Sequence, residues 1–363
     1  MNSIIVSTDH SYSFKKNIQF SMNKPDLNLY SDILKITPFT WLVDRTKLCN
    51  LPFKTHFIED YQLPEITKHS CDSLDNICQN IVEQYKNIDK QIYILWSGGI
   101  DSTLLVVSFL KSTVPYSKIT IACNFDSIKE NYDFYKKHIL PNFKIISSDF
   151  LMQSVSTSTI DGIILNGDPA DVLYGYDLTT SISKILGFDY LQLPCNRDNV
   201  TNYFKIKGLS EQSANFWYDY FTHSIDKSPK PIKTMQDFSW WEGFNYRWQA
   251  ANEKFYVRLP LNNSNCYEKI FNRAEFQLWA IFKEPIIIKK LNDIKLESKK
   301  IILDYTKDEF YFYNKIKLNS NSHVFGLNSY SAVLNTGQRL AQEEFNVFDF
   351  YDENNFINDW LSS

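Results

Sequence analysis

The segment that most constrains the fold of this chain runs from Tyr93 to Thr103 and reads YILWSGGIDST. Residues 93–96 are apolar, which predicts a buried strand, and the residues from Ser102 to Lys111 predict a helix. The small residues between them let backbone N–H groups approach a polyphosphate without interference from a Cβ atom. The positive N-terminus of the helix would attract the same anion. The segment therefore predicts a strand, a pyrophosphate-binding loop and a helix in direct succession.

The polar side chains of this segment suit a nucleotide that binds together with a metal ion. The residues expected to bind ATP or its pyrophosphate here are Ser97, Gly98, Gly99, Asp101, Ser102 and Thr103. Hydroxyl groups donate to phosphate oxygens, whereas a carboxylate beside phosphates serves chiefly as a Mg²⁺ ligand, the role we expect for Asp101. A plainer interpretation is a Gly-Gly turn in which Asp101 or Ser102 caps the helix. The segment is not a Walker loop, because no Gly-Lys-Ser/Thr sequence follows it.

From Gln91 onward, short apolar strands alternate with helices. The predicted strands cover 92–96, 118–123, 144–148 and 161–166, and the predicted helices cover 102–113 and the residues around 129–139. This alternation predicts an α/β fold with a Rossmann-like parallel sheet that carries helices on both faces. Ligands bind at the carboxyl ends of the strands in such sheets, and Asn124 follows one of these ends. We therefore count Asn124 among the ATP-binding residues.

A second strand, turn and helix start lies at 163–176, where the sequence reads IILNGDPADVLYGY. Its carboxylates would face the same crevice as Asp101, because neighbouring parallel strands end at one edge of the sheet. A Mg²⁺ ion that bridges ATP phosphates takes paired oxygen ligands, so we expect Asp101 and Asp171 to form a metal pair, and we count Gly167 among the ATP-binding residues. Asp168 completes the predicted catalytic residues as the candidate for substrate orientation or proton transfer. The simpler alternative is that Asp168 and Asp171 only cap the following helix.

These segments resemble known families. The loop at 97–103 resembles the signature of the ATP pyrophosphatase (PP-loop) superfamily, whose members cleave ATP between its α and β phosphates. Segment 167–175 is similar to the Ser-Gly-Glu-Gly-Ala-Asp-Glu-Leu-Phe-Gly-Gly segment of the asparagine synthetase family, and segment 255–262, FYVRLPLN, is similar to its Glu-x-Arg-x-Pro-Phe-Leu-Asp stretch. The order and spacing of the three segments agree with the synthetase domain. Asp168 stands where the family has Glu, and Pro169 where it has Gly, so the loop that handles the substrate differs.

The resemblance implies a PP-loop fold and the use of ATP with Mg²⁺. It also implies that a substrate carboxylate is adenylated and that a nitrogen nucleophile then releases AMP. The family uses a late lysine to stabilise charge on the intermediate, and the candidates here are Lys254, Lys283, Lys289 and Lys290. We expect no glutaminase activity, because position 2 is Asn and the first ninety residues are too few for the family's glutaminase domain. Free ammonia, an amine or a separate nitrogen-donating partner would supply the nitrogen.

The pattern along the chain suggests three consecutive segments. They are an N-terminal appendage at 1–89, an asparagine synthetase-like PP-loop domain at 90–285 and a C-terminal extension at 286–363. The appendage contains several prolines and closes with an amphipathic helix near 73–85. The part after the sheet is expected to be mostly helical.

Two later regions of the sequence give predictions about local structure. Aromatic residues crowd 238–248, where a buried helical core is the commoner explanation and a substrate pocket is the alternative. Apolar and aromatic runs at 301–303 and 310–316 are typical of strands.

The composition of the chain argues against several classes of protein. An aromatic share of 16% in 363 residues is typical of a packed globular protein. The net charge of −4 gives no electrostatic footprint for a nucleic acid partner. Neither an eighteen-residue apolar run nor a charged-then-apolar leader occurs, so we expect a cytoplasmic protein without membrane association. The six cysteines are scattered without a C-x-x-C pair, which argues against a zinc site.

The leading functional hypothesis is an AMP- and pyrophosphate-forming carbon-nitrogen ligase that adenylates a small carboxylate and transfers it to ammonia or an amine. It would act as a homo-oligomer or with a nitrogen-donating partner. One alternative is a PP-loop enzyme that modifies a nucleobase or tRNA. Another is a scaffold that binds nucleotide without turnover.

Overall fold

The computed structural model describes residues 3–4, 44–49, 54–55, 62–66, 72–147, 160–249 and 266–314. These residues fall into two compact units that alternate along the chain. One unit contains the described residues of 64–174 and 259–327, and the other contains those of 1–63 and 175–258. We call the first the sheet unit and the second the aromatic unit.

The sheet unit is built on five parallel strands. Numbered along the whole chain, the strands are β1 Ser3–Ile4, β2 Lys54–Thr55, β3 Gln91–Leu95, β4 Ile119–Cys123, β5 Lys144–Ser147, β6 Gly162–Asn166 and β7 Tyr267–Glu268. The first two pair with each other in the aromatic unit. The other five form one sheet in the order β5-β4-β3-β6-β7. The predicted α/β class with a parallel sheet is thereby confirmed, and the sheet is consistent with a Rossmann-like fold.

The centre of this sheet is buried on both sides. Every residue of β4 and of β6 is buried, whereas the edge strand β5 is half-buried to exposed. Successive side chains point to opposite faces of a strand, so complete burial requires cover on both faces of the sheet. This explains why the strands read as continuous apolar runs rather than as alternating patterns.

Helices occupy most of the remaining described residues. The α-helices are α1 Leu74–Glu83, α2 Ile100–Lys111, α3 Phe125–Glu130, α4 Tyr132–Phe134, α5 Tyr176–Leu186, α6 Arg197–Ile206, α7 Glu211–Thr222, α8 Met235–Trp241, α9 Ala274–Phe282, α10 Leu296–Thr306 and α11 Glu309–Asn314. In the sheet unit, α2 packs against both α1 and α10. The expected helix near 73–85 is α1, and the Ser73 hydroxyl caps it by accepting a hydrogen bond from the Asn76 amide.

The aromatic unit has a helical core. In this unit, α8 is followed directly by a π-helix at Glu242–Arg247. The side chains of Trp241, Phe244, Tyr246 and Trp248 are fully buried, so the interpretation of 238–248 as a core is confirmed. Arg45 donates to the Phe244 carbonyl over 2.8 Å, and burial lowers the pKa of this arginine to about 9. The segment around Arg45 is thus part of the same core.

Two predictions of secondary structure were wrong. The runs at 301–303 and 310–314 belong to α10 and α11 rather than to strands. Ser298, Ile301 and Ile302 are buried at helical spacing, and the Asp308 carboxylate caps α11 by accepting from the Tyr311 amide over 2.9 Å. The local apolar run therefore resembled a strand, although burial follows a helical period.

The predicted helix around 129–139 is broken into α3, α4 and a π-helix at Tyr135–Ile139. Among the helices that the structure describes, none combines the length and apolar character required to cross a bilayer.

Candidate functional site

The order of the strands marks the position of a site within the sheet unit. From β3 the chain moves through β4 to β5 on one side, and it then returns to place β6 on the other side of β3. The strand order therefore reverses between β3 and β6, which is where open parallel sheets bind ligands beyond their carboxyl ends. The last residues of the two strands, Leu95 and Asn166, lie opposite each other. The two predicted motifs thus begin side by side.

The loop after β3 is held by its own hydroxyl groups. The Ser97 amide donates to the Ser102 Oγ over 3.2 Å, and the two hydroxyl oxygens lie 3.0 Å apart. Gly98 has a φ of 75°, and a Cβ atom built there would lie 2.4 Å from the Ser127 carbonyl oxygen. Only glycine fits this position without displacement of backbone, because both the dihedral angle and the contact exclude a side chain.

The loop after β6 approaches the same helix end. A Cβ atom at Gly167 would lie 2.4 Å from the Ser102 amide nitrogen, so the loop backbone contacts the first turn of α2 directly. This turn begins after Gly99, and no side chain caps it. Its first N–H groups have no partner within the helix, which makes this end a suitable anion site.

Thr103 differs in position from the other predicted ATP ligands. Its side chain is fully buried, and its hydroxyl accepts a hydrogen bond from Trp96 Nε1 over 3.1 Å. Thr103 thus supports the loop from the core. Because its hydroxyl faces the interior, we remove Thr103 from the residues expected to contact phosphate.

The two aspartates of the predicted metal pair meet at one nitrogen atom. Lys295 Nζ donates to Asp101 Oδ2 over 2.5 Å and also donates to Asp171 Oδ1. The side chains of Lys295, Asp101 and Asp171 are 7%, 15% and 24% exposed. A single cation therefore contacts carboxylates from the two loops at the reversal of the sheet.

Polar atoms without partners lie in the same place. Asp101 Oδ1 is buried and makes no hydrogen bond to a described residue, and the same holds for Asn166 Nδ2. The other amide atom, Asn166 Oδ1, accepts from the Asp168 amide and from the Tyr267 hydroxyl. Because buried polar atoms are normally satisfied, an acceptor and a donor here are available for a ligand.

The oxygen atoms of Asp101 and Asp171 suit Mg²⁺, because this ion does not require a shell made only of protein side chains. Within the described ranges, no group of three or more His, Cys, Asp or Glu side chains could hold a metal ion. Mg²⁺ usually takes one or two carboxylates and completes its shell with water and substrate phosphates. Asp101 and Asp171, with the unpartnered Asp101 Oδ1, fit that pattern.

Comparisons with known proteins do not identify a family. No protein-family model, curated protein or solved structure matches this chain. The geometry of the site is therefore the basis for its interpretation.

The remaining predicted residues differ in their positions. Asn124 is buried and caps α3, because its Oδ1 accepts from the amide and the hydroxyl of Ser127. Gly167 and the half-buried Asp168 lie in the loop after β6, next to the metal pair. Segment 255–262 and Lys254 lie outside the described residues.

A second group of side chains, formed by Tyr174, Lys283 and Ser298, lies close to the predicted metal pair. The Tyr174 hydroxyl and the Ser298 Oγ are 2.7 Å apart, and Lys283 Nζ lies 4.4 Å from the centre of the Tyr174 ring. Burial lowers the pKa of Lys283 to about 8. Burial raises the pKa of Tyr174 well above its usual value, and the charges of Glu297 and Asp101 raise it further. These shifts indicate a poorly hydrated surrounding close to Asp101.

Lys295 is the residue of this site that the sequence did not reveal. Among the described lysines, it is the one that bonds to both aspartates, whereas the late lysines considered from the sequence were others. It lies 194 residues after Asp101, and no motif surrounds it. Its backbone φ of 58°, which is rare for a residue with a side chain, is visible only in the structure.

Proposed function

We propose that this chain is an ATP-dependent synthetase that forms AMP and pyrophosphate, adenylates a substrate carboxylate and transfers it to ammonia or an amine. The observation that carries the proposal is the convergence of Asp101 and Asp171 on Lys295 at the reversal of a parallel sheet. The resemblance of the same two loops to the asparagine synthetase family supports it independently of the contacts.

The phosphates of ATP would lie against the start of α2. The uncapped N–H groups of its first turn, which follows Gly99, would donate to phosphate oxygens. Ser97 and Ser102 already share hydrogen bonds, so their hydroxyls would reorient to donate to the nucleotide. Asn166 Nδ2 offers a further buried donor.

Asp101 and Asp171 would hold Mg²⁺ beside the phosphates. The bound ion would neutralise charge on the leaving pyrophosphate. Lys295 lies late in the chain and contacts both aspartates, and its ammonium would stabilise negative charge that develops on the phosphates during transfer.

The reaction would then proceed in two steps. A carboxylate oxygen of the substrate attacks the α-phosphorus, the bond from this phosphorus to the bridging oxygen breaks, and pyrophosphate leaves. A nitrogen nucleophile next attacks the activated carboxyl carbon, loses a proton and expels AMP. Asp168 is the candidate acceptor for that proton, because it is half-buried in the loop after β6, two residues beyond Asn166.

The direct test separates the products of ATP. The protein is incubated with ATP, Mg²⁺, mixed amino acids and ammonium, and AMP with pyrophosphate is resolved from ADP with phosphate. We expect AMP and pyrophosphate, and we expect Asp101→Asn to lower their formation by about 100-fold or more, since the variant loses a carboxylate that would hold the charge-neutralising Mg²⁺.

Asp75→Asn is the matched control. Asp75 also pairs with a lysine over 2.5 Å in the sheet unit, but at the surface, so its variant should keep full activity. Formation of ADP, or an equal loss in both variants, would contradict the proposal. Release of AMP only after addition of tRNA would favour the nucleobase-modifying alternative instead.

A further inference from the structure

Lys295 occupies the position at which the two carboxylates could share a metal ion. Its ammonium contacts one oxygen of Asp101 and one oxygen of Asp171, and it is the most buried of the three side chains. Two carboxylates and one ammonium leave a net charge of −1, whereas a divalent cation would balance both carboxylates. The pair is thus incompletely neutralised by the lysine.

The backbone at Lys295 is also unusual. Its φ of 58° and ψ of 25° lie in the left-handed region, immediately before the first residue of α10. Residues with a Cβ atom rarely adopt this region, and those that do cluster at functional sites. Because α10 packs against α2, Lys295 and Asp101 lie at the starts of two helices in contact.

We propose that Lys295 is a built-in counter-cation, which holds Asp101 and Asp171 together until a divalent cation displaces it. The inference rests on the proposed function, because it concerns the metal pair of that site. Displacement would free the ammonium close to the phosphates that arrive with the metal. The exchange of Lys295 for a divalent cation would therefore complete the metal site. It would also release the ammonium that stabilises charge on the phosphates during adenylyl transfer.

Electrostatics makes the exchange a competition. The ammonium and a divalent cation cannot occupy one point between the carboxylates, and two cations within about 4 Å repel each other strongly at the edge of a protein. Lys295 should therefore weaken the binding of a metal ion that arrives without nucleotide. A lysine that only stabilised the fold would have the opposite effect, since its removal would let the carboxylates separate and would weaken metal binding.

The test measures metal binding without any reaction. Mn²⁺ alone is titrated into the full-length protein at constant ionic strength, and free Mn²⁺ is counted by electron paramagnetic resonance. We expect Lys295→Met to bind Mn²⁺ at least about tenfold more tightly than the wild type, because a competing cation is removed. Lys295→Gln should behave similarly, since it keeps hydrogen-bond donors but loses the charge.

Lys299→Met is the matched control. Lys299 lies on α10 four residues beyond Lys295, and its Nζ donates to Asn292 Oδ1 over 3.1 Å instead of to either aspartate. Loss of this nearby charge should change Mn²⁺ affinity by no more than about threefold, which separates direct competition from a general change in potential. Equal or weaker Mn²⁺ binding by Lys295→Met and Lys295→Gln would overturn the inference.

A measurement on the wild type covers the case in which neither variant folds. An amine-acylating reagent is applied with and without Mn²⁺, and modification of Lys295 is read by mass spectrometry. We expect Mn²⁺ to increase the modification of Lys295 and to leave that of Lys299 unchanged, whereas no increase at Lys295 would overturn the inference. Formation of AMP by a protein that shows no such exchange would contradict the inference alone. Exchange in a protein that never forms AMP would contradict the proposed function.

Discussion

Two buried carboxylates show how differently the two units treat charge. In the sheet unit, Asp101 forms an ion pair with Lys295 and is 15% exposed. In the aromatic unit, Glu242 is 2% exposed, and its Oε1 makes no hydrogen bond to a described residue. Burial raises the pKa of Glu242 well above its usual value. A carboxylate with a cation beside it can serve a metal, whereas one without a cation takes up a proton.

The surroundings of the two groups explain the difference. Glu242 begins a π-helix among fully buried aromatic side chains such as Trp241 and Phe244, which offer no charge to stabilise an anion. Asp101 lies in the first turn of α2, where the helix dipole favours negative charge. The carboxylate of the aromatic unit therefore lies in a hydrophobic core, and that of the sheet unit lies in a polar site with an ion pair.

The largest effect on stability is expected at the paired carboxylates. Lys295→Met leaves two carboxylates together without their cation, so it should lower the free energy of unfolding by about 3 kcal/mol in the presence of a chelator. Lys111→Met, which breaks the exposed pair with Asp75, should cost less than about 1 kcal/mol. Denaturant titrations of the two variants check this. Equal costs would mean that the Asp101 pair behaves like a surface ion pair.

An intermediate effect on stability is expected when Glu242, the buried carboxyl group of the aromatic unit, is replaced. The raised pKa of Glu242 means that the folded protein binds a proton that the unfolded chain releases, so wild-type stability falls as the pH rises above the unfolded value. Glu242→Gln removes this titration. The free energies of unfolding of the variant and the wild type should therefore diverge by at most about 1.4 kcal/mol per pH unit. We expect equal stabilities near pH 4 and a variant that is the more stable of the two at pH 7.

Chemical denaturation at the two pH values measures this difference, with Trp fluorescence as the signal. Asp219→Asn is the control, because Asp219 also lies in the aromatic unit but pairs with Arg197 at the surface. A Glu242→Gln protein that is less stable than the wild type at pH 7 would show that the buried group is ionised.

The loops of the site were predictable because their chemistry is local. Gly167 directly follows β6 and Gly98 lies just beyond β3, and strand, loop and helix are consecutive in the sequence. The meeting of Asp101 with Asp171 followed from a general property of parallel sheets, that neighbouring strands end at one edge. That prediction assumed that the two strands are neighbours, and the strand order confirms that β3 and β6 are adjacent.

The contacts that the sequence did not reveal depend on the placement of later helices. Lys295 reaches Asp101 because α10 packs against α2, and no local pattern separates this lysine from its neighbours. The inward direction of the Thr103 hydroxyl depends on the rotation of α2 about its axis. The helix at 301–303 was missed because three consecutive apolar residues do not reveal a period.

The smallest effect on stability is expected when the hydroxyl of a buried tyrosine is removed from either unit. The Tyr174 hydroxyl lies 2.7 Å from the Ser298 Oγ, and the Tyr203 hydroxyl donates to the Ser181 Oγ over 2.9 Å. Replacement of either tyrosine by phenylalanine removes one hydrogen bond and should cost about 1 kcal/mol of stability. The first bond connects the turn that contains Asp171 to the start of α10, and the second lies in the aromatic unit.

The two variants should therefore separate in activity although they agree in stability. Tyr174→Phe loosens the connection between the turn of Asp171 and the helix that follows Lys295, so we expect AMP formation to fall by about tenfold, because small misplacements of catalytic groups are costly. Tyr203→Phe should leave AMP formation unchanged. Equal activities at equal stabilities would mean that the Ser298 bond supports the fold without positioning the metal pair, and the charged site would then depend on the ion pair alone.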